Sequence, residues 1–154
     1  MLKHQSRRQL LRHGGLFGLV AAIGSLVPRL GFAAWNKAAF DAKSLNDVVK
    51  ALGGSAVEKS GDIAITAPDI AENGAVVPIA VASKIAGTQS IAILVEKNPY
   101  ALSAQFDIPA GTEANVGTRV KMGQSSNVHA VVKANGKYYV ATKEVKVTLG
   151  GCGG

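Results

Sequence analysis

The apolar positions of this chain change rhythm once, at about Asp62. Before that point Leu45, Val48, Val49 and Leu52 recur at the i, i+3, i+4, i+7 spacing that lines one face of an α-helix. Ser44 with Asp47 three residues later resembles a capping box, and Gly53-Gly54 supplies the stop. A shorter helical turn is expected from Asn36 to Lys43, anchored by Phe40. This helical segment should pack over the edge or end of a sheet.

After Asp62 the period falls to two. Ile63 and Ile65 alternate before Pro68, then Val77, Ile79 and Val81, then Ile91, Ile93 and Val95. Leu102, Ala104, Phe106 and Ile108 form a fourth run. Val120 and Met122 mark a short fifth, with Arg119 and Lys121 on its other face. Val128, Ala130 and Val132 lead into Asn135-Gly136, a hairpin-turn dipeptide, followed by a last run from Lys137 to Leu149. In that run Tyr138 and Val140 share one parity while Val145, Val147 and Leu149 share the other, so a bulge near Thr142 to Glu144 is expected. Six to seven strands at this spacing predict an all-β fold, an immunoglobulin-like β-sandwich with a short N-terminal helical segment.

The first 33 residues do not fit this pattern. Lys3, Arg7, Arg8 and Arg12 precede an apolar run from about Leu16 to Val27, and Gly31-Phe32-Ala33 supplies small residues before a cut. Ser6-Arg7-Arg8-Gln9-Leu10-Leu11-Arg12 looks like a twin-arginine export motif, which predicts a periplasmic product. The expected organisation is a signal peptide at 1–33, a domain at 34–149 and a glycine-rich arm at 150–154. The mature chain retains about 120 residues, enough for one core. No transmembrane span remains in it, so no membrane association is expected after cleavage.

Charge changes meaning with the signal. The chain has 17 Lys and Arg against 10 Asp and Glu, a formal +7. Five of the basic residues precede Ala34 and none of the acids does, leaving twelve against ten in the mature part. No basic cluster remains to follow a phosphate backbone, which excludes nucleic acid as a partner.

The candidate chemistry lies in the last residues, Gly150-Gly151-Cys152-Gly153-Gly154, which hold the only cysteine. Glycines on both sides predict a thin, mobile arm, with the thiol offered to something outside the chain. An unpaired cysteine in an exported protein points to an intermolecular bond or a reactive thiol. Its ordinary pKa near ~8.5 leaves a few per cent thiolate at neutral pH. No acid, base or histidine sits within the arm, so Cys152 is a nucleophile without the machinery of a nucleophilic enzyme. Extended, Gly150 to Cys152 reach on the order of 10 Å from the strand end, and bulk at Gly151 or Gly153 would obstruct entry to a narrow channel.

The segment Val145-Lys146-Val147-Thr148-Leu149-Gly150-Gly151-Cys152-Gly153-Gly154 resembles the C-terminus of the SoxY family, the sulfur-carrier subunits of bacterial thiosulfate oxidation. Pro68-Asp69-Ile70-Ala71-Glu72-Asn73-Gly74-Ala75-Val76-Val77-Pro78 and Thr118-Arg119-Val120-Lys121-Met122 resemble the same family, as does the twin-arginine start. The resemblance implies a heterodimer with a SoxZ-like subunit and Cys152 as the point of covalent substrate attachment. It implies Sox enzymes as further partners: a c-type haem conjugating enzyme, a manganese hydrolase and a sulfane-oxidising partner. The haems and metals would belong to those partners, so no cofactor, metal or catalytic residue is assigned to this chain.

Other marked residues have plainer readings. His129 is the one histidine after the signal and faces away from the Val128-Ala130-Val132 stripe; one histidine and a distant cysteine fall short of a metal set. Glu72-Asn73-Gly74 reads as a turn in which Asn and Gly tolerate φ > 0, with a partner- or arm-docking role as the alternative that the resemblance adds. Tyr138 and Tyr139 are adjacent, so one should face the core and one the outside. Arg119 and Lys121 read as a solvated strand face. Three other functions compete with the carrier: a ubiquitin-like carrier using its terminal carboxylate, a structural module using Cys152 for an intermolecular disulfide, and a true enzyme, for which no acid/base pair is visible.

Overall fold

The computed structural model describes residues 35–148. Two short helices come first, α1 (Lys37–Asp41) and α2 (Leu45–Ala51). Nine strands follow: β1 (Glu58–Lys59), β2 (Ile63–Thr66), β3 (Ile70–Ala71), β4 (Val77–Ser83), β5 (Thr88–Val95), β6 (Leu102–Asp107), β7 (Asn115–Val120), β8 (Ser126–Ala134) and β9 (Lys137–Val147). One sheet has the order β1-β9-β8-β5-β6, with β3 also pairing β9; the other is three-stranded, β2-β4-β7. The two form a β-sandwich with the helices at its N-terminal end of the sequence, the predicted fold class.

Local chemistry explains the helix ends. The Ser44 hydroxyl accepts from the Asp47 N–H at 3.2 Å and donates to the Asp47 carboxylate at 2.6 Å, a variant of the capping box. Gly53, at φ +91°, ends α2 in the left-handed region that suits glycine. In α1 the buried anchor is Ala39; Phe40 is half-buried and stacks on Trp35 with ring centroids 5.0 Å apart.

The described residues form three layers and therefore two cores. Ile79, Val81, Ile91, Ile93, Val128, Ala130, Val132 and Val145 meet between the sheets. On the other face of the large sheet Ala92, Leu94, Leu102, Val131, Tyr138 and Val140 pack under Ala39, Val48 and Val49. The helices thus cover a sheet face, not the edge or end expected. Val48 and Val49 point into the outer rows of β5, β8 and β9, which removes their apolar surface from water, roughly 1.5–3 kcal/mol for each fully buried aliphatic side chain.

Three layers also account for the parity change in β9. Its pairing with β8 runs without interruption from Ser126↔Val145 to Ala134↔Lys137, so the expected bulge is absent. Tyr138 and Val140 face the helices, whereas Tyr139, Ala141, Val145 and Val147 face the other sheet. Neither tyrosine points freely outward, because both faces of this part of β9 are covered. A real irregularity lies elsewhere: β5 pairs Ile93↔Ala104 and then Leu94↔Leu102, leaving Ser103 as an extra residue. Leu102 consequently joins the helix layer while Phe106 and Ile108 pack on the sandwich core. The Asn135-Gly136 turn has positive φ at both residues, 51° and 75°, as a two-residue hairpin requires.

Candidate functional site: the end of the last strand

Cys152 and the glycines at 150, 151, 153 and 154 lie outside the described residues. What the structure defines is the platform from which they depart. Covalent geometry keeps Cys152 within about 14 Å of Thr148, four residues back.

The end of β9 is held from both sides. Regular pairing with β8 stops at Val145, and the Ser125 hydroxyl continues it by accepting from the Val147 N–H at 2.9 Å. On the opposite edge β3 runs parallel to β9, pairing Ile70↔Lys146 and Ala71↔Val147. The Lys146 N–H donates to the Asp69 carbonyl at 3.0 Å and the Thr148 N–H to the Ala71 carbonyl at 3.1 Å. The chain is therefore registered up to Thr148, the last described residue. β3 is itself anchored: the Lys143 ammonium donates to the Ala67 carbonyl at 2.7 Å and pairs with the Asp69 carboxylate at 3.0 Å. That carboxylate is 90% exposed, so the carbonyl contact carries more of the anchoring than the screened ion pair.

The turn after β3 completes the platform. Asn73 Oδ1 accepts from the Ala75 N–H at 2.9 Å, an Asx-type turn, but neither Asn73 nor Gly74 has positive φ, contrary to expectation. Gly74 is needed for a different reason. A Cβ there would sit 2.4 Å from the Met122 carbonyl oxygen and 2.8 Å from Val147 Cγ1. The backbone of Gly74 packs directly against the side chain of Val147, and its carbonyl accepts from the Met122 N–H at 2.7 Å.

His129 is not part of this platform. It lies opposite Thr142, about 20 Å along β9 from Thr148 at ordinary strand rise. Its Nδ1 is 2.9 Å from Thr142 Oγ1 and its Nε2 3.7 Å from a Glu96 carboxylate oxygen, with the side chain only 12% exposed. Burial pushes its pKa below the usual histidine value, an effect that Glu96 partly offsets. Among the described residues no group of three His, Cys, Asp or Glu side chains could hold a metal ion. Arg119 and Lys121 are exposed, opposite in parity to the buried Val120 and Met122, as expected. Also among the described residues, no helix is long and apolar enough to cross a membrane.

Fold and platform together define a class: a small three-layer β-sandwich protein whose last strand, fixed to its end, leads into a segment bearing the chain's one cysteine. The family model described as "Sulfur oxidation protein SoxY" matches residues 48–152, most of the chain and through Cys152 itself. The structure of the sulfur carrier protein SoxY from Chlorobium limicola f thiosulfatophilum is 38% identical, with a TM-score of 0.62, covering 68% of this chain and 94% of that one. A structure from work on the bacterial superantigen toxic shock syndrome toxin-1 is 12% identical at TM-score 0.40, over 56% of this chain and 99% of that one, too distant to carry an argument. No curated protein matches significantly. The chain belongs to the SoxY family of sulfur oxidation proteins.

Proposed function

We propose that this chain is an exported sulfur carrier that holds its substrate covalently on Cys152. The observation that carries the reading is the family match running through Cys152, joined by a relative whose structure is described as a sulfur carrier protein. The clamped end of β9 supports it physically. A carrier needs a rigid body and a departure point of fixed direction, so that only the last few residues search for the partner's site.

In this reading residues 1–33 direct twin-arginine export to the periplasm, 34–149 form the body and 150–154 the arm. The body pairs with a SoxZ-like subunit. A haem partner couples the Cys152 thiolate to thiosulfate, forming an S–S bond and removing two electrons, to leave Cys152–S–S–SO3⁻. Hydrolysis by a manganese partner adds water across the terminal S–S bond, releasing sulfate and two protons and leaving Cys152–S–S⁻. A further partner oxidises that sulfane sulfur. The covalent link keeps a small anion from diffusing away between enzymes, and its making and breaking depend on access and on the leaving thiol. Gly150, Gly151, Gly153 and Gly154 leave the sulfur surrounded by bare backbone, which a narrow active-site channel admits.

The test is incubation of the chain and its Cys152→Ala variant with thiosulfate and the cognate conjugating enzyme, read by intact mass. A thiosulfate adduct on the parent alone supports the proposal. An adduct retained in Cys152→Ala points to the terminal carboxylate, and a stable disulfide to one protein with no sulfonate-bearing species points to a structural role.

A further inference from the structure

We propose that the free edge of β7 is a docking site for an extended, acidic segment of a partner protein, which would add a fourth strand to the small sheet. β7 is the outer strand of the order β2-β4-β7 and, among the described residues, pairs only with β4. Which of its backbone groups face outward follows from one residue. Pro78, opposite Arg119, has no N–H, so that pair cannot be a hydrogen-bonded one. The bonded pairs are then Val77↔Val120, Ile79↔Thr118 and Val81↔Val116, and the Ser83 N–H donating to the Ala114 carbonyl at 2.8 Å continues the same phase. The N–H and C=O groups of Gly117 and Arg119 are left pointing away from β4 with no partner among the described residues. Two donors and two acceptors in alternation make the template that an incoming strand satisfies.

Of the devices that usually blunt an edge, this stretch has only a charge, that of Arg119. It contains no proline and no bulge, and a Cβ at Gly117 would meet nothing within 4 Å. Beyond it the edge is closed, because the Asn98 side-chain amide donates to the Lys121 carbonyl at 2.7 Å. Beside the open stretch, on the outer face, a shallow depression of about 620 Å³ is lined by Thr66, Pro78, Ala80, Gly117 and Arg119 among others. Apart from Arg119, these small side chains leave room for those of an added strand.

Charge selects the occupant. Arg119 and Lys121 are exposed cations with no ion pair among the described residues, and Arg119 projects on the same face as Gly117. A strand carrying Asp or Glu opposite Arg119 gains a cross-strand ion pair, whereas one carrying Lys meets like charge. The site does not involve Cys152, so it stands or falls independently of the carrier reading.

The test uses the isotopically labelled chain and a short capped peptide alternating Thr and Val around a central Glu, with amide hydrogen exchange read by NMR. At a peptide concentration ten times the dissociation constant, exchange at Gly117 and Arg119 is expected to slow about tenfold by mass action. The protection should persist in Gly117→Ala, vanish in Gly117→Pro, weaken for the Lys peptide, and vanish for a peptide N-methylated along its pairing edge. The N-methylated peptide needs no variant, which keeps the test decisive if Gly117→Pro misfolds. No protection at millimolar peptide, protection confined to the β6 edge, or equal binding of the Lys peptide overturns the proposal. So does protection that appears on raising the protein concentration alone, which would make a second copy the occupant.

Discussion

Replacing Gly74 by alanine should damage the platform at the end of β9 more than its size suggests. The added methyl would stand 2.4 Å from the Met122 carbonyl oxygen, an unyielding backbone atom, and 2.8 Å from Val147 Cγ1. Relief requires the 72–75 turn to move away, which stretches the Met122 N–H to Gly74 carbonyl bond and unseats Val147 from the core. Overpacking of this kind costs about 1–3 kcal/mol and loss of one hydrogen bond about 1 kcal/mol, so the variant should lose about 2–4 kcal/mol. Gly123, one residue beyond Met122, is the internal control. A Cβ there meets nothing within 4 Å and its φ is not positive, so Gly123→Ala should be neutral or slightly stabilising. Urea unfolding at constant m-value separates the two. Equal midpoints for Gly74→Ala, Gly123→Ala and the parent would show that Gly74 does not hold the end of β9 in the way described.

Three further outcomes follow from the same geometry. Ser125→Ala removes the acceptor of the Val147 N–H, and should cost about 1 kcal/mol while speeding exchange of that amide relative to amides in the centre of β9. Tyr138→Phe deletes the hydroxyl that donates to the Leu52 carbonyl at the end of α2, and should cost about 1 kcal/mol with unchanged β-sheet signals. His129 makes stability depend on pH. Its folded pKa is lowered, chiefly by burial, so the unfolded chain binds the proton more readily. Stability is then fully present above about pH 6.5 and declines as pH falls through that value towards the folded pKa. In His129→Gln that segment of the pH–stability curve should flatten, and an unchanged slope would locate the titrating group elsewhere.

Much of this architecture is legible in the residue pattern because one-sided burial leaves a strict alternation. Val77, Ile79 and Val81 in β4 lie where their period places them, and Asn135-Gly136 turns the hairpin. The pattern misleads where a strand is covered on both faces. In β9 the helix layer claims Tyr138 and Val140 and the opposite sheet claims Val145 and Val147, so a continuous strand mimics a bulged one. In β6 the reverse occurs: Leu102 to Ile108 alternates cleanly, yet the extra Ser103 sends Leu102 to the other side. The platform was the least visible feature. β3 is two residues long, too short for any periodicity, and Ser125 acts through a single hydroxyl. Gly74 is visible as a glycine, but its close approach to Met122 and Val147 depends on contacts remote in sequence. The cysteine between glycine pairs is conspicuous in the sequence alone, since its neighbours in the chain mark it without any tertiary contact.

The most direct measurement of the carrier account is the intact mass of the protein purified, without reductant, from cells oxidising thiosulfate. Fragmentation then locates any added mass. A ladder of sulfane and sulfonate-bearing species confined to the C-terminal peptide containing Cys152, and missing from Cys152→Ala, is the predicted result. A single unmodified mass throughout active sulfur oxidation, or added sulfur that persists when Cys152 is replaced, would contradict it.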